Sequence, residues 1–401
     1  MDGDTSQQRA APVGSADGRE PVESGPMDHA GAADVTRPQY VAVTLLTTLA
    51  LLAGIIWSAA HTNLTIGSRD VGGAVMAPGM IMTRDTPAEA MRDMAAVNPD
   101  FLRYTAPADA RGDRVLAPRL DNGVKVFALE ASVIERNILP NVPVMAYAFN
   151  NQVPGPRIRV TEGDRVRIEV TNALPESTTV HWHGLILPNA MDGPAEITQE
   201  PIEPGETFTY EFVAAQRGTY FYHSHDHTDR QQALGLYGAL IIDPRQPEDY
   251  PYEYDRELVI QLQELLERGG YSFPAMPMEG ALPNYFTING KAYPETETVR
   301  MKVGETLLIR FIGTNNGFIH PMHVHGGPFR IVETDGNPVQ PAGQWVKDTV
   351  NIGPGERYDV LWEAREPGKW LLHCHIAHHT TNNNVEEEGG GGLMLVLEVE
   401  P

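Results

Sequence analysis

Histidine is concentrated in four short stretches of this sequence, and this clustering restricts the fold more than any other feature. Of the 14 histidines, all but His29 and His61 lie in HWHG (181–184), HSHDH (223–227), HPMHVHG (320–326) and HCHIAHH (373–379). Each stretch contains two histidines separated by one residue. Residues i and i+2 of a β-strand project from the same face, so each pair can direct two imidazoles towards one metal site.

The four pairs supply enough imidazoles for three metal ions, with positions left for small ligands. The pairs are His181/His183, His223/His225, His323/His325 and His373/His375. Neutral imidazole suits copper, which heads the divalent affinity order. Zinc would fit a single pair equally well, but zinc does not account for four pairs and a separate cysteine.

The single cysteine, Cys374, lies between His373 and His375 and would therefore project from the opposite face of the strand. With His320 and His379 it completes the two-histidine, one-cysteine set of a blue-copper electron-transfer site. The two sites would be joined through neighbouring backbone positions, about 3.8 Å apart between Cα atoms. Neither site needs the two remaining cluster histidines, which we interpret as exposed or supporting residues. They are His227 and His378.

Strand-like alternation recurs in two halves of the chain. The segment VTEGDRVRIEVTN (160–172) resembles MKVGETLLIRFIG (301–313), and each half then reaches two of the histidine pairs. The pattern predicts an internal repeat of two β-domains, at residues 121–245 and 255–401, with a connector rich in Pro, Asp, Glu and Tyr at 244–254. Many short Val, Ile, Thr and Tyr runs, together with 32 prolines and 38 glycines, favour an all-β fold.

The N-terminal region differs from these halves. Residues 1–39 are acidic and rich in Gly, Ala and Pro, which predicts a disordered tail. Residues 40–60 form an uncharged, mostly apolar run of 21 residues, long enough for a transmembrane anchor. A signal peptide cleaved near residues 58–60 is the alternative. Residues 61–120 are interpreted as a linker. Everything beyond the anchor is expected to be extracytoplasmic. The presence of only one cysteine, taken alone, would suggest a reducing compartment instead.

The acidic residues and the clustered methionines indicate which partners, nucleic acid or metal ions, the chain could bind. The formal net charge of −23 disfavours nucleic acid and is interpreted mainly as a source of solubility. The loop Glu386–Glu388 follows the last histidine cluster, and it either docks a metal ion such as Cu(I), Mn(II) or Fe(II) or is only a solvated Gly-rich loop. Methionines crowd the linker and are interpreted as apolar packing, with Cu(I) transfer as the alternative. They are Met76, Met80, Met82, Met91 and Met94.

In this combination and order, the four motifs resemble those of the multicopper oxidases, specifically the two-domain laccase-like members, over about residues 122–401. The resemblance implies two cupredoxin-like Greek-key β-sandwich domains. It also implies four coppers per active unit: one type 1, one type 2 and two type 3. The implied ligands are His320, Cys374 and His379 for type 1 copper, His181 and His323 for type 2 copper, and His183, His223, His225, His325, His373 and His375 for the type 3 pair.

Two further residues follow from the resemblance. MDGPAEITQ (191–199) is similar to the family's stretch bearing an acid near type 2 copper, so Asp192 is our candidate for proton delivery, with a turn-forming role as the alternative. The family often places Met or Leu five residues after the last type 1 histidine, where this chain has Asn384. An insertion would move Leu393 or Met394 to that axial position, and we predict Met394 as the metal ligand.

The resemblance also implies an activity: oxidation of a phenol, an aromatic amine or a low-valent metal ion, coupled to four-electron reduction of dioxygen to water. It implies a homotrimer in which the first domain of one chain faces the second domain of the next. Copper nitrite reductase is an alternative, weakened because the first domain has no cysteine. A non-catalytic copper-sequestering protein is another.

Overall fold

The computed structural model describes residues 37–63, 74–80 and 87–401. Most of the predicted tail and parts of the predicted linker, including Met82, lie outside these residues. Residues 37–63 belong to one of two compact units, and residues from 64 onwards belong to the other. Helix α1 (Arg37–Asn63) contains a stretch, Arg37–Ile56, that is long and apolar enough to cross a membrane. Signal sequences share that length and composition, so the helix is compatible with both interpretations of the N-terminus.

Ten strands between residues 102 and 243 form two sheets that pack face to face. They are β1 (Leu102–Thr105), β2 (Arg119–Asp121), β3 (Val124–Leu139), β4 (Val142–Phe149), β5 (Ile158–Thr161), β6 (Arg165–Asn172), β7 (Val180–His183), β8 (Thr207–Val213), β9 (Gly218–Ser224) and β10 (Tyr237–Asp243). One sheet has the order β1-β3-β6-β8, with β2 and β4 also paired to β3, and the other has the order β5-β10-β9-β7. Buried side chains from both sheets, such as Ile168 and Trp182, fill the space between them.

Thirteen strands from residue 256 onwards form a second sandwich. They are β11 (Arg256–Arg268), β12 (Tyr271–Phe273), β13 (Tyr285–Ile288), β14 (Thr298–Lys302), β15 (Thr306–Ile312), β16 (His320–Val324), β17 (Phe329–Thr334), β18 (Asn337–Pro338), β19 (Val346–Lys347), β20 (Thr349–Ile352), β21 (Arg357–Glu363), β22 (Gly368–Cys374) and β23 (Met394–Glu400). The sheets have the orders β12-β11-β15-β21-β17-β18, with β13 on β11 and β19 on β17, and β14-β23-β22-β16-β20. The all-β prediction is confirmed.

The internal repeat places the same turn at the same point of each sandwich. Strands β5 and β6 belong to opposite sheets, and so do β14 and β15. Gly163 and Gly304 lie in these turns with φ of 93° and 88°, a region that glycine adopts without the steric cost of a Cβ. The turns therefore carry the chain from one sheet to the other instead of closing a hairpin.

The two sandwiches share a buried interface. All seven residues of β9 are buried, because one face packs inside the first sandwich and the other packs against the second. Tyr222 belongs to the first core, whereas Phe221 packs with Val259 and Ile312 of the second half. This interface fixes the histidines at the end of β9 relative to β15 and β21.

A buried ionic network reinforces the same interface. The guanidinium of Arg310, fully buried on β15, donates to Glu257 at 2.7 Å, to Thr219 of the first sandwich at 2.8 Å, and to Asp359. The Thr219 hydroxyl in turn donates to Asp359 at 2.8 Å. Each buried charge thus has partners, which buried ions require.

The predicted linker is shorter than expected. Strand β1 pairs in parallel with β3 and β2 pairs with it in antiparallel fashion, so residues 102–105 and 119–121 complete the first sandwich. Upstream lies helix α2 (Ala88–Asp93). Met76, Met80 and Met94 are buried against Met276 and neighbouring apolar residues, which agrees with the packing interpretation of the methionines.

Candidate metal centres

One buried cluster contains the only cysteine. The Sγ of Cys374 lies 3.5 Å from Nδ1 of His379 and 3.9 Å from Nδ1 of His320, and the two nitrogens lie 3.0 Å apart. A metal bonded to nitrogen at about 2 Å and to sulfur at about 2.3 Å would hold its ligands at about these separations. Two imidazole nitrogens and a sulfur thus converge on one point, where a single cation could contact all three. The donor set therefore fits a single copper ion.

The surroundings of this cluster favour metal over proton binding. Burial, followed by the charges of His320 and His378, lowers the pKa of His379 to about 3. Burial raises the pKa of the Cys374 thiol to about 12. A free thiol at this position would keep its proton at neutral pH, whereas a bound cation displaces that proton and takes the thiolate as its ligand.

Four histidines of the first sandwich form a second cluster, with ring centroids 5.4–6.0 Å apart along the connected pairs. Its members are His181, His183, His223 and His225, which we call the first histidine set. The pairing of β7 with β9 places His181 directly opposite His223. Period-two projection from two adjacent strands therefore brings all four rings to one face.

Four histidines of the second sandwich form an equivalent cluster, with ring centroids 4.9–5.8 Å apart. Its members are His323, His325, His373 and His375, which we call the second histidine set. Strands β16 and β22 place His323 opposite His373, and the Nε2 atoms of His325 and His373 lie 3.1 Å apart. His325 and His375 are exposed at the protein surface.

Backbone carbonyls fix the orientation of four of these rings. In each, Nδ1–H donates to a carbonyl oxygen and leaves Nε2 free for a metal. Metal-binding histidines commonly make such a hydrogen bond with the nitrogen that does not bind the metal. The pairs are His181 with Asp192 at 2.7 Å, His223 with Ser224 at 2.7 Å, His323 with Asp348 at 2.8 Å and His373 with Cys374 at 2.9 Å. Burial also lowers the pKa of His181, His223, His325 and His373, so these rings are held neutral and ready to bind.

The two histidine sets do not meet within one chain. Throughout residues 87–401, no ring contact or hydrogen bond joins a member of the first set to a member of the second. A single chain therefore does not bring all eight imidazoles into one pocket. Each set can contribute only half of a three-metal site.

Met394 does not lie on the thiol side of its sheet, contrary to our prediction for the axial ligand. Strand β23 pairs Met394 with His373, and residues paired across strands project from the same face. Met394 therefore shares the face of His373, opposite to Cys374. Leu393 is fully buried in the same core cluster as Cys374, and its carbonyl accepts the Cys374 N–H at 3.0 Å.

Asp192 lies beside the first histidine set. Its carboxylate Oδ1 is 3.5 Å from Nδ1 of His181, and its carbonyl accepts the hydrogen bond described above. Gly193 follows with φ of 100°, and a Cβ there would collide with the carbonyl of Val180. The Asp-Gly pair therefore both forms the turn and places a carboxylate next to an imidazole.

Sequence reasoning missed a contribution of the second sandwich to the first histidine set. The guanidinium of Arg357 lies 6.0 Å from the ring of Phe221, which stacks on His183 with a centroid distance of 4.5 Å. A Cβ at Gly355 would lie 3.0 Å from the His183 ring. Burial and then the Arg357 charge lower the pKa of His183 to about 3. Nothing local in the sequence marks residues more than 170 positions downstream as neighbours of His183.

The two remaining cluster histidines have separate environments. His227 precedes the short helix α3 (Thr228–Gln231), and its Nδ1 lies 2.8 Å from Asp93. The hydrogen bond to Asp93 raises the pKa of His227 to about 9. His378 is exposed and lies 5.9 Å from the ring of Phe286, which stacks on His379 at 4.3 Å. Neither residue joins the histidine sets.

Family models for multicopper oxidases match residues 131–247 and 274–385 of the chain. Copper resistance protein A of Escherichia coli is 31% identical over 265 residues, which cover 54% of this chain and 43% of that protein. L-ascorbate oxidase of Cucumis sativus is 34% identical over 245 residues, which cover 53% of this chain and 41% of that protein. The chain thus spans less than half the length of these curated relatives.

Solved structures match over more of their length. The blue copper oxidase from Nitrosomonas europaea is 35% identical, with 68% of this chain and 85% of that chain covered and a TM-score of 0.61. The multicopper oxidase mgLAC is 34% identical, with 69% and 86% covered and a TM-score of 0.62. The paired sandwiches, the histidine–cysteine cluster and the two histidine sets therefore have one explanation: the chain belongs to the multicopper oxidase family, and its cofactor is copper.

Proposed function

We propose that the protein is a copper-dependent oxidase that takes single electrons from a small reducing substrate and delivers them to dioxygen, forming water. One observation carries the proposal: Cys374 and His373 are adjacent residues of β22, but the thiol and the imidazole lie in two different clusters. Bound copper supplies the one-electron chemistry at both sites. The chain supplies orientation, dry packing around the thiol and a short covalent path from Cys374 to its two histidine neighbours.

The proposed ligand assignment follows the family resemblance. His320, Cys374 and His379 hold type 1 copper, His181 and His323 hold type 2 copper, and His183, His223, His225, His325, His373 and His375 hold the type 3 pair. Within the chain the three type 1 ligands cluster together and the other eight histidines form the two histidine sets, which supports the assignment. The functional units are the halves at 121–245 and 255–401, extended by β1 and β2.

Leu393 replaces Met394 as the proposed axial neighbour of type 1 copper. It lies in the core cluster that contains Cys374, whereas the strand register directs Met394 to the other face. An aliphatic side chain offers no donor atom. A copper ion held here would have His320, Cys374 and His379 as its ligands, and their hydrogen bonds would tune its potential.

A homotrimer would complete the three-metal site, with the first histidine set of one chain facing the second set of its neighbour. The separation of the two sets within one chain supports this arrangement. Large apolar side chains are exposed beside both sets: Ile186 (72% exposed) and Ile197 (82%) near the first, Trp345 (62%) and Val346 (68%) near the second. Head-to-tail contacts between different faces close into rings, and a trimer is one such ring.

Asp192 is the proposed proton donor at the completed site. Its carboxylate is close to His181 and partly exposed, so it can exchange protons with water. Asp192→Asn would remove the acid and leave the backbone carbonyl that orients His181 in place. A loss of turnover with normal copper content would support a proton-transfer role.

Phenols, aromatic amines and low-valent metal ions are the proposed electron donors. We further propose that α1 anchors the protein, with the β-sandwiches outside the cytoplasm; a signal sequence removed after export is the alternative. The length and apolar composition of α1 support both alternatives. Nucleic acid is not a proposed partner.

Oxygen uptake by the copper-loaded protein tests the function. With a methoxyphenol, we expect uptake at four phenol molecules oxidised per dioxygen, and none in the metal-free protein or in Cys374→Ser. Full copper loading without oxygen uptake would contradict the proposal and favour copper storage. Nitrite reduction by the same sample, with no oxidase activity, would favour the reductase alternative.

A further inference from the structure

A buried carboxylate contacts the cysteine-containing cluster from outside. Glu264 lies on β11, and its side chain is 3% exposed. Its Oε1 lies 3.2 Å from Nε2 of His320, on the opposite side of the ring from the thiol of Cys374. His320 itself is fully buried. Glu264 is thus connected to the copper site through one imidazole ring.

Two other donors hold this carboxylate oxygen in place. The backbone N–H of Phe318 donates to Oε1 at 3.0 Å, and the side-chain amide of Asn315 donates to the same oxygen at 3.4 Å. Asn315 also bonds the carbonyl of Phe318. The segment before β16 therefore positions the carboxylate independently of any metal. An acceptor fixed at Nε2 requires the proton there and leaves the Nδ1 lone pair facing Cys374 and His379.

The charge of Glu264 has no ordinary counter-ion. Among the described residues, no lysine or arginine lies within ion-pair distance of it, and its one ion-pair contact is with His320. A buried carboxylate without a compensating cation is costly. A cation on the far side of His320 would reduce that cost, because it lies one ring away in a medium of low dielectric constant.

The other type 1 imidazole has a different environment. The ring of His379 stacks on Phe286 at 4.3 Å and meets Phe318 edge-on at 5.1 Å. Its described hydrogen-bond contacts are to Cys374 and His320, and no carboxylate is among them. The two imidazoles therefore differ in polarity, and His320 alone is polarised by an anion.

We propose that Glu264 is a positioning residue that sets the tautomer of His320 and stabilises the oxidised over the reduced type 1 copper. The inference rests on the proposed function, since it requires copper at this cluster. With the thiolate included, the oxidised site carries one more positive charge than the reduced site. A nearby anion therefore favours the oxidised state and lowers the reduction potential.

Glu264→Gln tests the charge with little change of shape. Its amide oxygen can accept the same hydrogen bonds from His320 and Phe318. Glu267→Gln is the matched control, because Glu267 lies on the same strand but contacts Gly270, Asn284 and their neighbours instead of His320. The readout is a spectroelectrochemical titration of the blue absorption at about 600 nm in the copper-loaded proteins.

We expect Glu264→Gln to keep the blue absorption and to raise the reduction potential, whereas Glu267→Gln leaves the potential unchanged. An unchanged or lowered potential in a blue, fully loaded Glu264→Gln protein would overturn the proposal. A wild-type protein that binds copper without blue absorption would instead contradict the proposed function, so the two failures are distinguishable.

A measurement on the wild-type protein covers the case in which the variant does not fold. In the Cu(I)-loaded protein with ¹⁵N-labelled histidine, the Nε2 proton of His320 should give a slowly exchanging resonance that is coupled to its ring nitrogen. A His320 Nε2 proton that resonates downfield of the His379 Nε2 proton, which has no carboxylate partner, supports the hydrogen bond to Glu264. A His320 ring with Nε2 deprotonated would overturn the proposal.

Discussion

Cys374 and His373 are covalent neighbours whose side chains contact different clusters: the thiol lies 3.5 Å from His379, and the imidazole lies 3.1 Å from His325 on the other face of the strand. This relationship arises from strand geometry alone, since consecutive side chains alternate between faces. The two sites can therefore be tested separately, because a substitution at one site leaves the ligands of the other in place.

Cys374→Ser should remove one site and preserve the other. We expect the absorption at about 600 nm to disappear and the copper content to fall by about one per chain. Absorption spectra with copper analysis provide the measurement. His378→Gln is the control, since His378 is an exposed residue of the same motif. A blue Cys374→Ser protein would refute the assignment of the thiol.

Mixing two inactive variants tests whether neighbouring chains complete the three-metal site. His223→Gln damages the first histidine set and His325→Gln damages the second, so each protein alone should be inactive. If sites form between chains of a ring, co-assembly at equal amounts should restore about a quarter of wild-type activity, because each interface has that statistical chance of joining two intact sets. No recovery in mixed oligomers would show that each chain builds its own site.

The acidic loop after the last histidine cluster can be tested without disturbing its anchor. Asn382 is buried and holds the loop through Tyr293, Gly392 and Glu387. Changing Glu386, Glu387 and Glu388 to Gln removes charge and keeps an acceptor for Asn382. If the loop docks metal ions, kcat/KM for Cu(I) or Fe(II) should fall about tenfold.

Phenol oxidation serves as the internal control for that variant. It should change less than about twofold, because a neutral substrate gains little from acidic docking groups. Equal losses with both substrates would indicate a structural defect. No loss with either would indicate a solvated loop.

Glu333 should make stability depend on pH. Burial, followed by the charge of Asp359, raises the pKa of Glu333 to about 7, in opposition to Arg217 and Arg310. The folded state therefore holds this proton more tightly than the unfolded state. Stability from this group is present below the unfolded pKa of about 4.5 and is lost as pH rises through 7.

Urea unfolding of the metal-free protein between pH 5 and 8 measures this effect. Glu333→Gln should lessen the decline of the unfolding free energy by up to about 3 kcal/mol. Glu363→Gln, which alters a 55% exposed carboxylate, should follow the wild type. Parallel curves for all three proteins would contradict the prediction.

Leu393→Met should introduce an axial thioether at type 1 copper. We expect a lower reduction potential and an altered blue absorption, because a sulfur donor stabilises the oxidised ion more than an aliphatic group does. Met394→Leu is the control and should leave both unchanged. A potential that responds to Met394→Leu alone would restore our sequence-based prediction.

The histidine sets could be predicted because each depends on the spacing of residues that are close together in the sequence. A spacing of two on a strand is enough to pair His181 with His183 or His373 with His375, and the intervening Cys374 must then face away. The axial residue was not predictable, since the Gly-rich insertion before β23 changes which residue faces the thiol. One position of register exchanges Leu393 for Met394.

Features that depend on contacts between distant parts of the chain could not be predicted from the sequence. The short strands β1 and β2 depend on pairing with β3, which no local pattern in the linker reveals. Glu264 lies in a strand whose residues from 258 to 266 are all buried, so its contact with His320 leaves no periodic signal. Arg357 reaches His183 only because the two sandwiches pack together.

The buried contacts of Arg310 restrict how this chain can be recombined with its relatives. Its partners come from both halves, with Thr219 in one and Glu257 and Asp359 in the other. A chimaera that exchanges one half must therefore contain a matching hydroxyl or carboxylate in the new half. Otherwise the buried arginine loses a hydrogen-bond partner at the interface between the sandwiches. Crossover points in engineered hybrids should be chosen to inherit these four side chains together.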